Sequence, residues 1–284
     1  MSITILSGDF IFEDNKYITV VNLGPNINLL PINAFSGCTS LTSIIIPPSV
    51  TSIGSYAFNG CTSLSSIIIP PSVTLIGGGT FLKCTSLTSV IISPSVTSID
   101  RCTFAECTSL TSVNIPPSVT NIDAWAFARC TSLTSIIIPP SVTYIGGRAF
   151  DRCTSLTSII IPPSVTSIDN STFNKCENLE YVAAPANIVN NPRDIFIDCP
   201  KLENGRNGIV VYTSATNLHV LRSQYFHTNS MDSLTLEQRD FVTKLMMIVD
   251  VVNGVDTTDL PQIPSDVMVL ILQQLRKNQL GPIN

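Results

Sequence analysis

Apolar and polar positions alternate in short bursts along this chain, and the bursts return at a fixed interval. In LTSIII at 41–46, Ile44 and Ile46 fall on one side of an extended backbone with Leu41 before them, while Ser43 and Ile45 face the other way. That alternation predicts a short β-strand with one buried face. Pro47 and Pro48 follow at once; neither has an N–H to give to a ladder, so the strand ends and the chain turns. In SVTSIG, Val50 and Ile53 predict an extended crossing of the opposite side of a coil, directed inward. Ala57 and Phe58 then fill the far end of the core before Cys61, in a closing segment that accommodates a helical turn without requiring one.

The interval is 23 residues. Cysteines stand at 38, 61, 84, 107, 130, 153, 176 and 199, each with Phe three residues before it and Leu three residues after it, and only Cys102 lies outside the column. The unit reads Leu-x-x-Ile-x-Ile-Pro-Pro-x-Val-x-x-Ile-x-x-x-Ala-Phe-x-x-Cys-x-x, and CTSLTSIIIPPSV recurs unchanged at 38–50, 130–142 and 153–165. Self-similarity at this period predicts a solenoid in which each strand pairs in parallel with its equivalent in the next coil, about 4.8 Å away. One coil alone cannot offset the entropy lost on ordering its backbone. Stacking supplies the core, and both ends require caps.

The expected fold class is therefore mainly β: a repeat solenoid of about eight 23-residue coils with a parallel β-sheet, plus a small α-helical C-terminal tail. Residues 1–17 are expected to form an N-terminal cap, with ITILSGDFIFEDNKYITVVNL read as a short hairpin leading into the coils. The repeats run from 18 to 212 and open on a degenerate unit, in which Val21, Leu23, Ile27 and Leu30 match Ile44, Ile46, Val50 and Ile53. IVVY at 209–212 reads as the last strand. A C-terminal cap is expected over 213–226, where ATNLHVLRSQYF reads as a short helix. A helical tail follows over 227–284: TLEQRDFVTKLMMIVDVVNG carries a Thr235–Gln238 capping box and an Asn253-Gly254 stop, and IPSDVMVLILQQLRKNQLG gives a second helix.

The coincidence of strand, Pro corner, Val-x-x-Ile, Ala-Phe and Cys at this period resembles the BspA-like leucine-rich repeat family, from residue 18 to about 212. Departures are local: Ser93 replaces a Pro, Asn114 replaces an outward Ile, and Asn191-Pro192 replaces the Ile-x position in the last full unit. The resemblance implies a leucine-rich repeat fold and a non-enzymatic binding protein; family members include bacterial surface adhesins and intracellular proteins of protists and large DNA viruses. Within the tail, LPQIPSDVMVLILQQL is similar to the opening of an F-box, which implies an alternative role as a substrate receptor for ubiquitin ligation.

Composition narrows the function classes. The chain is 44% hydrophobic and 12% charged with net charge −5, and its Lys and Arg are scattered singly along the sequence apart from Arg276-Lys277. No basic stripe is expected to track a phosphate backbone, so nucleic acid is not an expected partner. The longest apolar run, VMVLIL at 267–272, is too short to span a bilayer, and no membrane association is expected. The N-terminal segment has no basic region followed by an apolar one. A cytoplasmic location is the expectation, and the adhesin alternative applies if the chain is exported.

Candidate chemistry is sparse. The two histidines, His219 and His227, lie outside the repeats, and no His-Glu-x-x-His, Gly-x-Ser-x-Gly or phosphate-loop pattern occurs; IGGG at 76–79 lacks the following Lys-Ser/Thr. No cofactor is expected. The cysteine column reads as buried structural thiol donating weak S–H bonds to nearby carbonyls, since disulfide spacing is met in distance but not in direction. Cys102, outside the column, and the end-coil Cys199 are the cysteines expected within reach of a reagent. Thr51, Thr74, Thr97, Thr120, Thr143 and Thr166 form an outward ladder whose hydroxyls should bond to neighbouring coils.

One outward column remains. Beside the centre of each strand stand Asn22, Ile45, Ile68, Ile91, Asn114, Ile137, Ile160 and Ala183. The isoleucines form two apolar runs separated by Asn114. Contiguous exposed apolar surface marks interaction sites, so Ile45, Ile68, Ile91, Asn114, Ile137 and Ile160 are the candidate partner-binding residues. The partner is expected to be a protein, a second copy of the chain included; the competing reading is that duplicated coils carry Ile because β-branched residues suit strands.

Overall fold

The computed structural model describes residues 1–6, 10–185, 188, 192–204 and 209–212. The expected cap helix at 213–226 and the helical tail at 227–284 lie outside the described residues. Within them, the period becomes a stack of coils. Short strands Val20–Leu23, Ser43–Ile45, Ser66–Ile68, Ser89–Ile91 and Ser158–Ile160 recur on one side, and their pairings are parallel with a register of one repeat, as in Val21↔Ile44 and Ile67↔Val90. Asn114 joins the same column through bridges to Ile91 and Ile137. The strands from Ser43–Ile45 to Ser158–Ile160 are only three residues long, because Pro stands two or three residues after each and cannot donate to the ladder.

The expected crossing of the opposite side is itself hydrogen-bonded. Two-residue strands pair in parallel there, with Leu30, Ile53 and Ile76 in one ladder and Ile99, Ile122, Ile145 and Ile168 in another. Between the two sides runs one core, in which every Leu, Phe and Cys of the repeat from coil to coil is buried. The phenylalanines from Phe35 to Phe196 stack with ring centroids 5.1–5.6 Å apart and planes within 15° of parallel.

The closing segment is not helical. Two residues four apart adopt left-handed backbone in each coil from Asn33 and Gly37 to Ser171 and Lys175, for example Tyr56 and Gly60, Trp125 and Arg129, Arg148 and Arg152. These turns direct successive N–H groups to alternate destinations. Those of Ala57, Asn59 and Cys61 donate locally to Gly54, Tyr56 and Phe58, while those of Tyr56, Phe58 and Gly60 donate to the carbonyls of Gly78, Thr80 and Leu82 in the next coil. A helix would keep all its N–H groups inside one coil. The left-handed residues instead create a third intercoil ladder and so satisfy the backbone of the far edge.

The N-terminus departs from expectation. Ser2–Ile5 pairs with Val20–Leu23 in parallel, Ser2 opposite Val20, so it is not a hairpin but a shortened coil of 18 residues. Phe12 lies one full period before Phe35 and stacks on it at 5.9 Å. At the other end Tyr181–Pro185 pairs in parallel with Ile209–Tyr212, the expected last strand. Helix among the described residues is confined to Pro192–Ile195 and Pro200–Asn204.

Candidate functional site

The cysteine column takes up no reactive geometry. All eight members are fully buried, and each Sγ donates to the carbonyl oxygen of the Phe one coil earlier, from Cys38 to Phe12 through Cys199 to Phe173, at 3.1–3.2 Å. Burial raises the thiol pKa values: Cys38 reaches about 11 and Cys84 about 12, and Cys61, Cys107, Cys130, Cys153 and Cys176 move in the same direction. A thiol held protonated is neither a nucleophile nor a metal ligand. Cys102, outside the column, is partly exposed. Among the described residues no group of three or more His, Cys, Asp or Glu could hold a metal ion, and no helix is long and apolar enough to cross a membrane.

The hydroxyl ladder is likewise spent on structure. Thr74, Thr120, Thr143 and Thr166 each donate through Oγ1 to the carbonyl of the equivalent Thr one coil back, at 3.2–3.4 Å.

The isoleucine column does face water. Ile45, Ile68, Ile91 and Ile137 are 65%, 65%, 60% and 74% exposed, and Asn114 is exposed between the last two. Ile68, Ile91, Asn114 and Ile137 are in direct register. Ile160 is half-buried, and Ala183, next in the column, is fully buried. The first apolar run therefore keeps its three exposed members, whereas the second keeps one.

Stacking also assembles something the linear sequence conceals. Arg129, Arg152 and Lys175 are scattered along the chain but separated by whole repeats, so the solenoid places them side by side on the turn edge. Arg148 joins them, its guanidinium 4.8 Å over the ring of Trp125. Applying the 23-residue period to the charged residues, as to the cysteines, was the signal that could have found this group.

Parallel coils, strand and Pro corner in register, and a single Leu/Ile/Phe/Cys core define a leucine-rich repeat scaffold. The chain belongs to the BspA-type leucine-rich repeat family: the family's model, "BspA type Leucine rich repeat region", matches residues 6–133, 76–203 and 126–241. Among solved structures it is similar to a leucine-rich repeat protein from Bacteroides ovatus, with 29% identity and TM-score 0.65 over 75% of this chain and 55% of that one. It is also similar to a leucine rich cell surface protein from Faecalibacterium prausnitzii, at 28% identity, TM-score 0.48, 72% of this chain and 62% of that one. A third is the leucine-rich repeat protein of T. pallidum, at 29% identity, TM-score 0.49, 55% of this chain and 71% of that one. The chain thus spans about 55% of the length of the Bacteroides ovatus protein. No curated protein matches it.

Proposed function

We propose that this chain is a non-enzymatic scaffold that binds a protein partner through the sheet face, with Ile45, Ile68 and Ile91 as the anchoring patch and Asn114 and Ile137 extending it. The observation that carries this reading is the exposure of three large apolar side chains in consecutive coils. A fold that buries its other repeated isoleucines almost completely leaves these in water. Covering them together removes the patch from solvent in one step, each side chain contributing roughly 1.5 to 3 kcal/mol if fully buried and less if partly so. Association must also offset lost rigid-body freedom, which is why a patch of several side chains, rather than one, is needed.

Replacing Ile68 and Ile137 by Lys together tests the reading. Both residues point away from the core, so circular dichroism and the melting transition should barely change. Homotypic association measured by sedimentation, and recovery of bound proteins in affinity purification, should weaken at least tenfold. A variant that unfolds would place the column in the core, and one that retains every interaction would leave the isoleucines as products of repeat duplication.

A further inference from the structure

The outward column of the sheet face carries no charge, whereas the turn edge is where the near-identical coils differ in charge. At its two left-handed positions the template carries Tyr56 and Gly60, then Gly79 and Lys83, then Cys102 and Glu106. In the next three coils the same positions hold Trp125 and Arg129, Arg148 and Arg152, Ser171 and Lys175. Four cations thus gather on adjacent coils of a chain whose net charge is −5. They line a cleft of about 390 Å³ together with Trp125, Asp151 and Asn174.

The charges of this cleft are largely unspent. Among the described residues, Arg152 reaches Asp151 only at 3.8 Å and Lys175 reaches Asp198 only at 3.9 Å. Arg129 enters no ion pair among the described residues, and Arg148 rests on the Trp125 ring. Asp151 is different: it is 3% exposed and accepts a hydrogen bond from Asn174. Cations therefore stand at the rim and a carboxylate near the floor.

We propose that this cleft binds an acidic segment of a polypeptide. Arginine side chains at the rim match carboxylates in bidentate geometry. Asp151 at the floor disfavours a compact ligand that is anionic throughout, such as free phosphate, and favours one that brings N–H donors as well as carboxylates, as a peptide does. Length agrees too. From Arg129 to Lys175 is two coil spacings, about 10 Å, which an extended peptide covers in three residues at about 3.3 Å each. Acidic side chains two or three residues apart would meet cations of different coils. The site lies on the turn edge and does not depend on the isoleucine column.

Trp125 is the only tryptophan in the chain, so its fluorescence reports this cleft alone. The full chain would be titrated with a short peptide alternating glutamate and glycine, with its lysine counterpart, with inorganic phosphate, and with a sulfated oligosaccharide. The proposal expects a saturable change with the glutamate peptide only, weakened at least tenfold by Arg129→Glu with Arg152→Glu, and weakened also by raised salt. Glutamate is compatible with the backbone, because Glu106 already occupies the same left-handed position one coil earlier; unchanged circular dichroism would verify this. The variant Ile68→Lys with Ile137→Lys should bind the peptide as the parent does. No saturable response, equal binding by the double arginine variant, or an equal or stronger response to phosphate or the sulfated oligosaccharide would overturn the assignment.

Discussion

Raising the pH from about 9 to 10 is expected to lower the stability of this protein steeply. Cys38, Cys61, Cys84, Cys107, Cys130, Cys153 and Cys176 all have thiols raised by burial above their ordinary value of 9.0. Above that value the unfolded chain releases protons that the folded chain still holds. The proton balance therefore favours unfolding, and stability present below pH 9 declines as the pH climbs toward the folded-state values of about 11 for Cys38 and about 12 for Cys84. The slope approaches about 1.4 kcal/mol per pH unit for each thiol only once the unfolded-state thiols are fully ionised, so between pH 9 and 10 each forfeits about 1 kcal/mol and seven together forfeit on the order of 7 kcal/mol, a large share of the stability of a typical domain at about 5–15 kcal/mol. Urea denaturation at half-unit steps from pH 8 to 10 measures the slope. Replacing Cys107 and Cys130 by Ala should lower it by about two-sevenths. An unchanged slope would show that the buried thiols do not govern alkaline unfolding.

The second large effect belongs to the phenylalanine stack. Phe104 is fully buried between Phe81 and Phe127, each 5.4 Å away between ring centres. Changing it to Ala deletes a ring from the middle of the buried core. The expected cost is about 3–5 kcal/mol, with stacking to both neighbours lost in addition to apolar burial. Phe12, half-buried in the shortened first coil and stacked on one side of Phe35, should cost clearly less when changed to Ala. Because repeats couple mainly to nearest neighbours, hydrogen exchange in Phe104→Ala should accelerate first in the coils carrying Phe81 and Phe127. Equal destabilisation by the two substitutions would contradict a core built by stacking.

Most of the fold was legible because two periods coincide. Alternation along LTSIII separated Ile44 from Ile45, and the 23-residue interval carried that assignment into every coil; the observed burial of Ile44 beside the exposure of Ile45 follows from it. The parallel N-terminal strand was misread because its spacing to the next strand is 18 residues, so the interval that organises the rest of the chain does not reach Ser2–Ile5. Phe12, at a full interval before Phe35, was the clue that the segment is a coil. The left-handed turns could not be read from residue type, since Tyr56, Trp125 and Arg152 occupy positions that glycine favours, and the intercoil hydrogen bonds hold them there. Of the candidate site, the column and its direction were legible, whereas the half-burial of Ile160 depends on its surroundings in the folded chain. The cationic cleft escaped a reading of charge as runs along the sequence, because Arg129, Arg152 and Lys175 are neighbours only once the coils stack.

The central claim is that the repeated residues hold a shape and that what the protein recognises lies on its surfaces. Counting reactive thiols in the native, reduced protein tests this most directly, with the nine cysteines resolved by mass spectrometry after brief alkylation at neutral pH. The structure predicts rapid modification at the partly exposed Cys102 and protection of the eight column cysteines until denaturant is added. Rapid modification along the column without denaturant would contradict it, because thiols within reach of a reagent cannot also be the packed centre of the coils.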